Sequence, residues 1–236
     1  MMKKTMLVML AVLLAAGGIL LGSAPRTTGA SRAEAAAEDA VTLSGIVTEV
    51  REDQLLMTDD TGRRLQVMLK DTTRLEAEEP LQPGDFVRVT YNGLMSRSVP
   101  AIIGADVIAC HRLRGTVQEK GEGSLLLRVD ESTTRLILTD EAFEPGTLIT
   151  VCCESTEGDA LTALYVRGPE LCGTITGVME EGFLLDTGSE EVTVLLNDDT
   201  ILGVQPEAGL AVRVAVTGAM TLSLPAQYTA SLVLLQ

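Results

Sequence analysis

From residue 41 onward, apolar and polar positions alternate with a period of two in short runs, and Gly, Asp, Asn or Pro punctuates the intervals. Successive side chains of a strand point to opposite faces, so the pattern predicts half-buried β-strands rather than helices. The clearest runs are Leu65, Val67 and Leu69, then Leu136 and Leu138, then Val192, Val194 and Leu196. Three glycine-centred strand starts order the rest: Leu43-Ser44-Gly45-Ile46-Val47, Leu113-Arg114-Gly115-Thr116-Val117 and Leu171-Cys172-Gly173-Thr174-Ile175, whose glycines stand 70 and then 58 residues apart. Each is followed by a turn, an apolar run (Leu55 to Met57, Leu125 to Leu127, Phe183 to Leu185), the alternating strand, an acidic turn, and a glycine before a fourth strand (Gly84, Gly146, Gly209). Fifth strands are expected at Ala105 to Ala109, Ala160 to Val166 and Ala230 to Leu234.

The chain therefore reads as a leader, residues 1–40, and three β-barrel repeats at 41–110, 111–168 and 169–236, the middle one shortened. Five short strands with a longer connection between the third and fourth is the plan of an OB-type barrel, and an SH3-like barrel or a small sandwich shares the strand count. In the first repeat that connection, Asp71 to Gly84, contains Glu76-Ala77-Glu78-Glu79 before Pro80 and Pro83, which predicts a loop or one helical turn. The fold expected is all-β, three tandem small five-stranded OB-like barrels after an N-terminal hydrophobic helix.

Residues Gly84 to Ala109 match Gly209 to Leu234 without a gap, at an offset of 125. Within them Gly93-Leu94-Met95-Ser96-Arg97-Ser98-Val99-Pro100-Ala101 and Gly218-Ala219-Met220-Thr221-Leu222-Ser223-Leu224-Pro225-Ala226 share Gly, Met, Ser, Pro and Ala in register. This segment, with Gln227 and Ala230 after it, resembles the carboxy-terminal half of bacterial exported domains of unknown function with small OB-like barrels. The resemblance implies a fold and a compartment, not an activity. The middle repeat lacks the segment, and Ile102 stands in the first where Gln227 stands in the third.

Ahead of the repeats, Lys3 and Lys4 precede an apolar run of 17 residues, Met6 to Gly22. That order reads as a signal peptide or an uncleaved signal anchor, and it places the repeats outside the cytoplasm, secreted or tethered to the membrane by residues 6–22. The leader also hides acidity. The full chain carries −15, but residues 1–37 hold four basic residues and one acid, leaving 14 basic against 32 acidic and −18 for the remainder. A surface so acidic repels phosphate backbones and anionic lipid, which excludes nucleic acid as a partner and limits membrane contact to the leader.

Candidate chemistry is sparse. His111, the single histidine, stands at the junction of the first two repeats with Cys110 as its one nearby candidate partner and reads as a solvated linker residue, so neither Ser-His-Asp nor Cys-His catalysis, nor a metal site or cofactor, is expected. Four cysteines, Cys110, Cys152, Cys153 and Cys172, are an even number in an exported chain, but Cys152 and Cys153 are strand neighbours that point apart, and a Cys110 to Cys172 bridge would span the middle repeat. Paired acids such as Asp59-Asp60, Glu190-Glu191 and Asp198-Asp199 fall at turns, where Asp bonds nearby backbone amides. The expectation is a non-enzymatic extracytoplasmic binding or interaction module for a protein, peptide or cell-envelope component. A structural spacer or self-assembling envelope protein is the alternative and an enzyme a remote one. OB barrels often bind through the loop between strands four and five, so the candidate ligand-binding residues are Tyr91, Asn92, Met95, Ser98 and Pro100, and in the third repeat Met220, Ser223, Pro225, Gln227 and Tyr228.

Overall fold

A computed structural model describes residues 40–221 and 225–236, with the backbone alone at 218–221. The expected N-terminal helix and most of the 1–40 leader lie outside the described residues. The described residues form sixteen strands and no helix. In the first module these are β1 (Val41–Val50), β2 (Gln54–Asp59), β3 (Arg64–Met68), β4 (Arg74–Ala77), β5 (Phe86–Tyr91) and the first half of β6 (Ala101–Gly121). The second has the rest of β6, then β7 (Ser124–Arg128), β8 (Thr134–Leu138), β9 (Leu148–Cys153) and β10 (Ala160–Arg167). The third has β11 (Glu170–Met179), β12 (Gly182–Asp186), β13 (Glu191–Leu195), β14 (Ile201–Leu202), β15 (Ala211–Thr221) and β16 (Gln227–Leu235).

The pairings return to their starting strand in each module. In the first, β1 pairs β2 and β5, β2 pairs β3, β5 pairs β6, and a parallel β3–β6 ladder closes the circuit. The second runs β6-β7-β8-β10-β9 and back to β6, closed by parallel β8–β10. The third runs β11-β12-β13-β16-β15 and back to β11, closed by parallel β13–β16. The expected boundary after Cys110 falls inside a strand, because β6 runs unbroken for 21 residues and serves as last strand of one circuit and first of the next. The helical turn expected within Asp71 to Gly84 is instead the short strand β4, parallel to β6. Pro80 and Pro83 follow too closely for a helix to continue, whereas four extended residues find open backbone groups on β6. The third module repeats the device with β14 on β16. In the shortened second module, buried Phe143 joins the core from within this connection.

The glycines that announce the repeats have a steric cause. A Cβ on Gly45 would lie 2.3 Å from the Thr58 carbonyl oxygen, on Gly115 2.5 Å from that of Arg128, and on Gly173 2.2 Å from that of Asp186. The first strand thus crosses the end of the second too closely for any side chain. A second bracket is equally regular. Gly84, Gly146 and Gly209 adopt φ near +96°, +91° and +90°, and their amides donate to Val47, Val117 and Ile175 at 2.7, 2.8 and 2.8 Å. The same three residues donate back to the carbonyls of Asp85, Thr147 and Leu210 at 2.8, 2.9 and 2.9 Å.

Each circuit encloses its own apolar core, made mainly of Val, Leu and Ile. Burying each such side chain contributes roughly 1.5–3 kcal/mol. A fourth cluster draws on all three modules: Ile46 and Phe86 of the first, Tyr165 of the second, Ala215, Leu232, Leu234 and Ile201 of the third. Alternation turns Val47 and Val233 into their own cores, so neighbours Ile46, Leu232 and Leu234 face outward. Packed on one another, these outward faces make the three modules one block. The Phe86 and Tyr165 rings stack there with centroids 6.0 Å apart.

Candidate functional site

The loop from β5 to β6, residues 92–100, holds five of the expected site residues or abuts them. Gly93 turns the chain at φ +77°, and the Asn92 side-chain oxygen accepts the Leu94 amide at 3.2 Å. Ser96 then clamps the loop base: its amide donates to the Ile102 carbonyl at 2.9 Å and its hydroxyl accepts the Ile102 amide at 2.7 Å. Ser98 lies 2.6 Å from the Ser96 hydroxyl and donates to the Pro100 carbonyl at 2.7 Å. Met95 packs on the first core, its sulfur 3.5 Å from Nη1 of Arg63. Tyr91 is 4% exposed and belongs to the core, so it offers a ligand almost no surface. What the loop does present is Leu94 and Val99, 73% and 98% exposed.

In the third module, Gln227 and Tyr228 lie on β16, half-buried, with Tyr228 against the core, and Pro225 is exposed just before them. Backbone pairing places Met220 opposite Tyr228. Ser223 and the Met220 side chain lie outside the described residues. Pro100 lines a cavity of about 170 Å³ together with Arg64 and Gly203 of the third module, and Arg64 donates to the Leu202 carbonyl at 3.0 Å. This cavity does not gather the other predicted residues. Asp60, Asp198 and Asp199 line a neighbouring groove, and among the described residues no three acids, histidines or cysteines converge as a metal would require.

A different place collects charge. A cleft of about 620 Å³ is bounded by Arg114 of β6, Arg167 at the end of β10, Arg213 of β15, Glu170, and Gln82 of the first module. Arg167 is 7% exposed, with Nε 3.3 Å from the Glu170 carboxylate. Arg213 reaches the same carboxylate at 3.8 Å and donates to the Pro83 carbonyl at 2.8 Å. Nη1 of Arg167 and Nε of Arg213 are buried without a hydrogen-bond partner. An unmet buried donor costs about 1–3 kcal/mol, more when charged, so three guanidinium groups against one carboxylate make a site that an oxyanion would complete. Beside it, burial pushes the Tyr165 hydroxyl up to about 12. Sequence reasoning missed this cleft because its arginines come from three strands with no common motif. Their one visible signal was scarcity, 18 Lys and Arg in 236 residues.

No family model matches the chain, and no curated protein matches it. Among solved structures it is similar to a multidomain protein with nucleic acid binding domains from Streptococcus pneumoniae TIGR4, at 10% identity and a TM-score of 0.22, covering 80% of this chain and 72% of that one. It is also similar to Drosophila Unr CSD456, at 14% identity and a TM-score of 0.21, covering 75% of this chain and 90% of that one. The exclusion of nucleic acid as a partner is corrected accordingly: a structure the chain matches is described as having nucleic acid binding domains. Net charge is a sum over the whole surface, and the arginine cleft shows that it does not fix the sign of any one site.

Proposed function

We propose that the protein is a non-enzymatic, extracytoplasmic binding protein in which three OB-type barrels, packed as one block, hold an oxyanion-binding cleft at their junction. The strand order with a parallel closing ladder supports the OB reading of each module. The observation that carries the binding role is buried Arg167, with one carboxylate partner and an unpartnered Nη1, lining a cleft with Arg114 and Arg213. Clefts of this volume at the meeting of modules are where small-molecule sites are commonly built. The ligand group is a phosphate or carboxylate, held by forked guanidinium donors.

Calorimetric titration of the full chain with inorganic phosphate and with citrate tests this. Binding that weakens by about 1.5–3 kcal/mol in Arg114→Gln, with unchanged Tm, supports it. Absence of heat at millimolar concentrations of both, together with no rise in Tm, sinks it. One observation favours a spacer instead, the unbroken β6 that rigidly joins the first two modules, and the same titration separates the two. Residues 6–22 are read as the export signal or anchor, which mass spectrometry of the mature amino terminus tests.

A further inference from the structure

The arginine cleft does not end at Arg114. A second open cavity of about 630 Å³ adjoins it, and the two share Arg114 and Leu148 in their walls. Strand register makes them continuous. Ile149, Val151, Val117 and Leu127 turn into the second core, so their neighbours along β9, β6 and β7 face outward. Arg167 stands opposite Thr150 across β10–β9, and Thr150 stands opposite Arg114 across β9–β6. Two residues further along β6, Thr116 lies between Leu148 on β9 and Arg128 on β7. The outward face of β10-β9-β6-β7 is therefore two adjacent rows that step from Arg167 through Arg114 to Arg128. With strands about 4.8 Å apart, the two outer arginines are separated by roughly 14 Å at the backbone, and Arg114 sits between them.

The side chains on this track are uncommitted where the rest of the surface is paired. Arg114 and Arg128 are exposed, and among the described residues neither forms an ion pair. Acids stand at the two ends. Glu170 lies beside Arg167, and Asp130 and Glu131 line the cavity beyond Arg128. The Asp130 carboxylate is fixed there by the amides of Ser132 and Thr133, both at 2.8 Å. An anionic chain is thus attracted along the middle of the track and repelled past its end, which limits its length.

We propose that this face binds a short linear oligophosphate rather than a single oxyanion, an inference that rests on the oxyanion reading of the cleft. One terminal phosphate lies at Arg167 and Arg213, and the chain passes Thr150 and Arg114 to bring a second phosphate to Arg128. A phosphate accepts from a guanidinium fork and from a hydroxyl at once, which suits arginines alternating with threonines. Orthophosphate is too short to engage both ends.

Calorimetric titration of the full chain with orthophosphate and with tripolyphosphate, at matched ionic strength, tests this. Tripolyphosphate is expected to bind at least about tenfold tighter. Arg128→Gln should lose most of that gain while its orthophosphate affinity and Tm stay at the wild-type values. Arg74→Gln, which removes one positive charge from β4 of the first module, should keep the gain. Tripolyphosphate binding no tighter than orthophosphate would overturn the oligophosphate proposal and leave the single-oxyanion reading standing. A gain that survives Arg128→Gln, or that Arg74→Gln removes as fully, would assign it to net charge and overturn the proposal as well. Binding of neither anion would overturn both readings.

Discussion

The interiors of the three modules and the junction between them obey different rules. Each interior is almost wholly aliphatic, is bracketed by the same glycines, and is repeated three times. The junction is built once. It holds the Asp85–Arg112 ion pair, buried Arg167 and the Phe86–Tyr165 stack. One slot shows the contrast directly. The residue after the turn glycine accepts the same backbone bond in every module, yet it is Asp85 in the first, Thr147 in the second and Leu210 in the third. The backbone is held in common while the side chain serves local assembly.

That contrast makes its strongest prediction at Arg112. Asp85 is 1% exposed on its side chain and is held by Nη1 of Arg112 at 2.6 Å, while Nη2 of the same arginine bonds Glu79. Arg112→Met leaves Asp85 buried with the Gln82 amide as its remaining bond, at an expected cost of about 3–5 kcal/mol. The double change Asp85→Leu with Arg112→Met should recover most of that loss. Thermal unfolding measures both. A single variant as stable as wild type would show that the junction charges are solvated and interchangeable with surface ones.

Next comes the interior. Leu127 is fully buried in the second core, and Leu127→Ala is expected to cost about 2–5 kcal/mol. If the modules are one block, the whole domain melts earlier in a single transition. Separate transitions, with the outer modules unaffected, would mean that the fourth cluster does not couple them.

How much of this was legible beforehand follows the same division. Gly45, Gly115 and Gly173 were visible because the carbonyl that excludes their Cβ recurs in every copy. The β6 strand was cut at Cys110 because nothing in a repeat signal shows that one strand serves two circuits. Ser98 and Met95 were candidates for recognition from their place in the loop; the Ser98 hydroxyl donates to the Pro100 carbonyl and Met95 packs on the core, neighbours that the repeat pattern did not specify. Arg114, Arg167 and Arg213 could not be grouped, since only the packing of modules brings them together. Periodicity reports on what a strand does within its own sheet, and it is silent on what meets its outer face.

A smaller effect separates turns of identical form. Gly146→Ala places a residue with φ near +91° in open space, which costs about 1–2 kcal/mol. Gly84→Ala carries the same backbone penalty at φ +96°, and its Cβ would also lie 2.0 Å from Nη1 of Arg167. The first module's turn is therefore expected to be the more sensitive, by whatever it costs to displace a guanidinium packed at the junction. Equal losses of Tm in the two variants would place Arg167 free to move and weaken the case for an organised cleft.

The smallest expected effect distinguishes a repeated contact from a unique one within a single turn. Asp59, Asp130 and Asp186 each accept the amide of the residue two positions on, at 3.0, 2.8 and 2.8 Å. Of these three, Asp59 adds an arginine, with Arg63 Nη2 at 2.8 Å. Burial pushes the Asp59 carboxyl up, but the Thr61 and Arg63 bonds outweigh it and hold the group below the usual carboxylate range. A folded pKa below the unfolded one means the unfolded chain binds the proton first, so the stabilisation is complete above the unfolded value of about 3.9 and is lost as pH falls through the folded one. Asp59→Asn keeps the turn and removes the charge, an expected loss of about 0.2–1 kcal/mol because Arg63 is half exposed. The Tm difference between wild type and variant should hold steady from neutrality down to about pH 4 and shrink below it. Arg63→Ala should erase most of that difference by reducing Asp59 to the turn contact that Asp130 already makes. A difference that persists unchanged into acid would assign the loss to the amide's altered turn geometry rather than to charge.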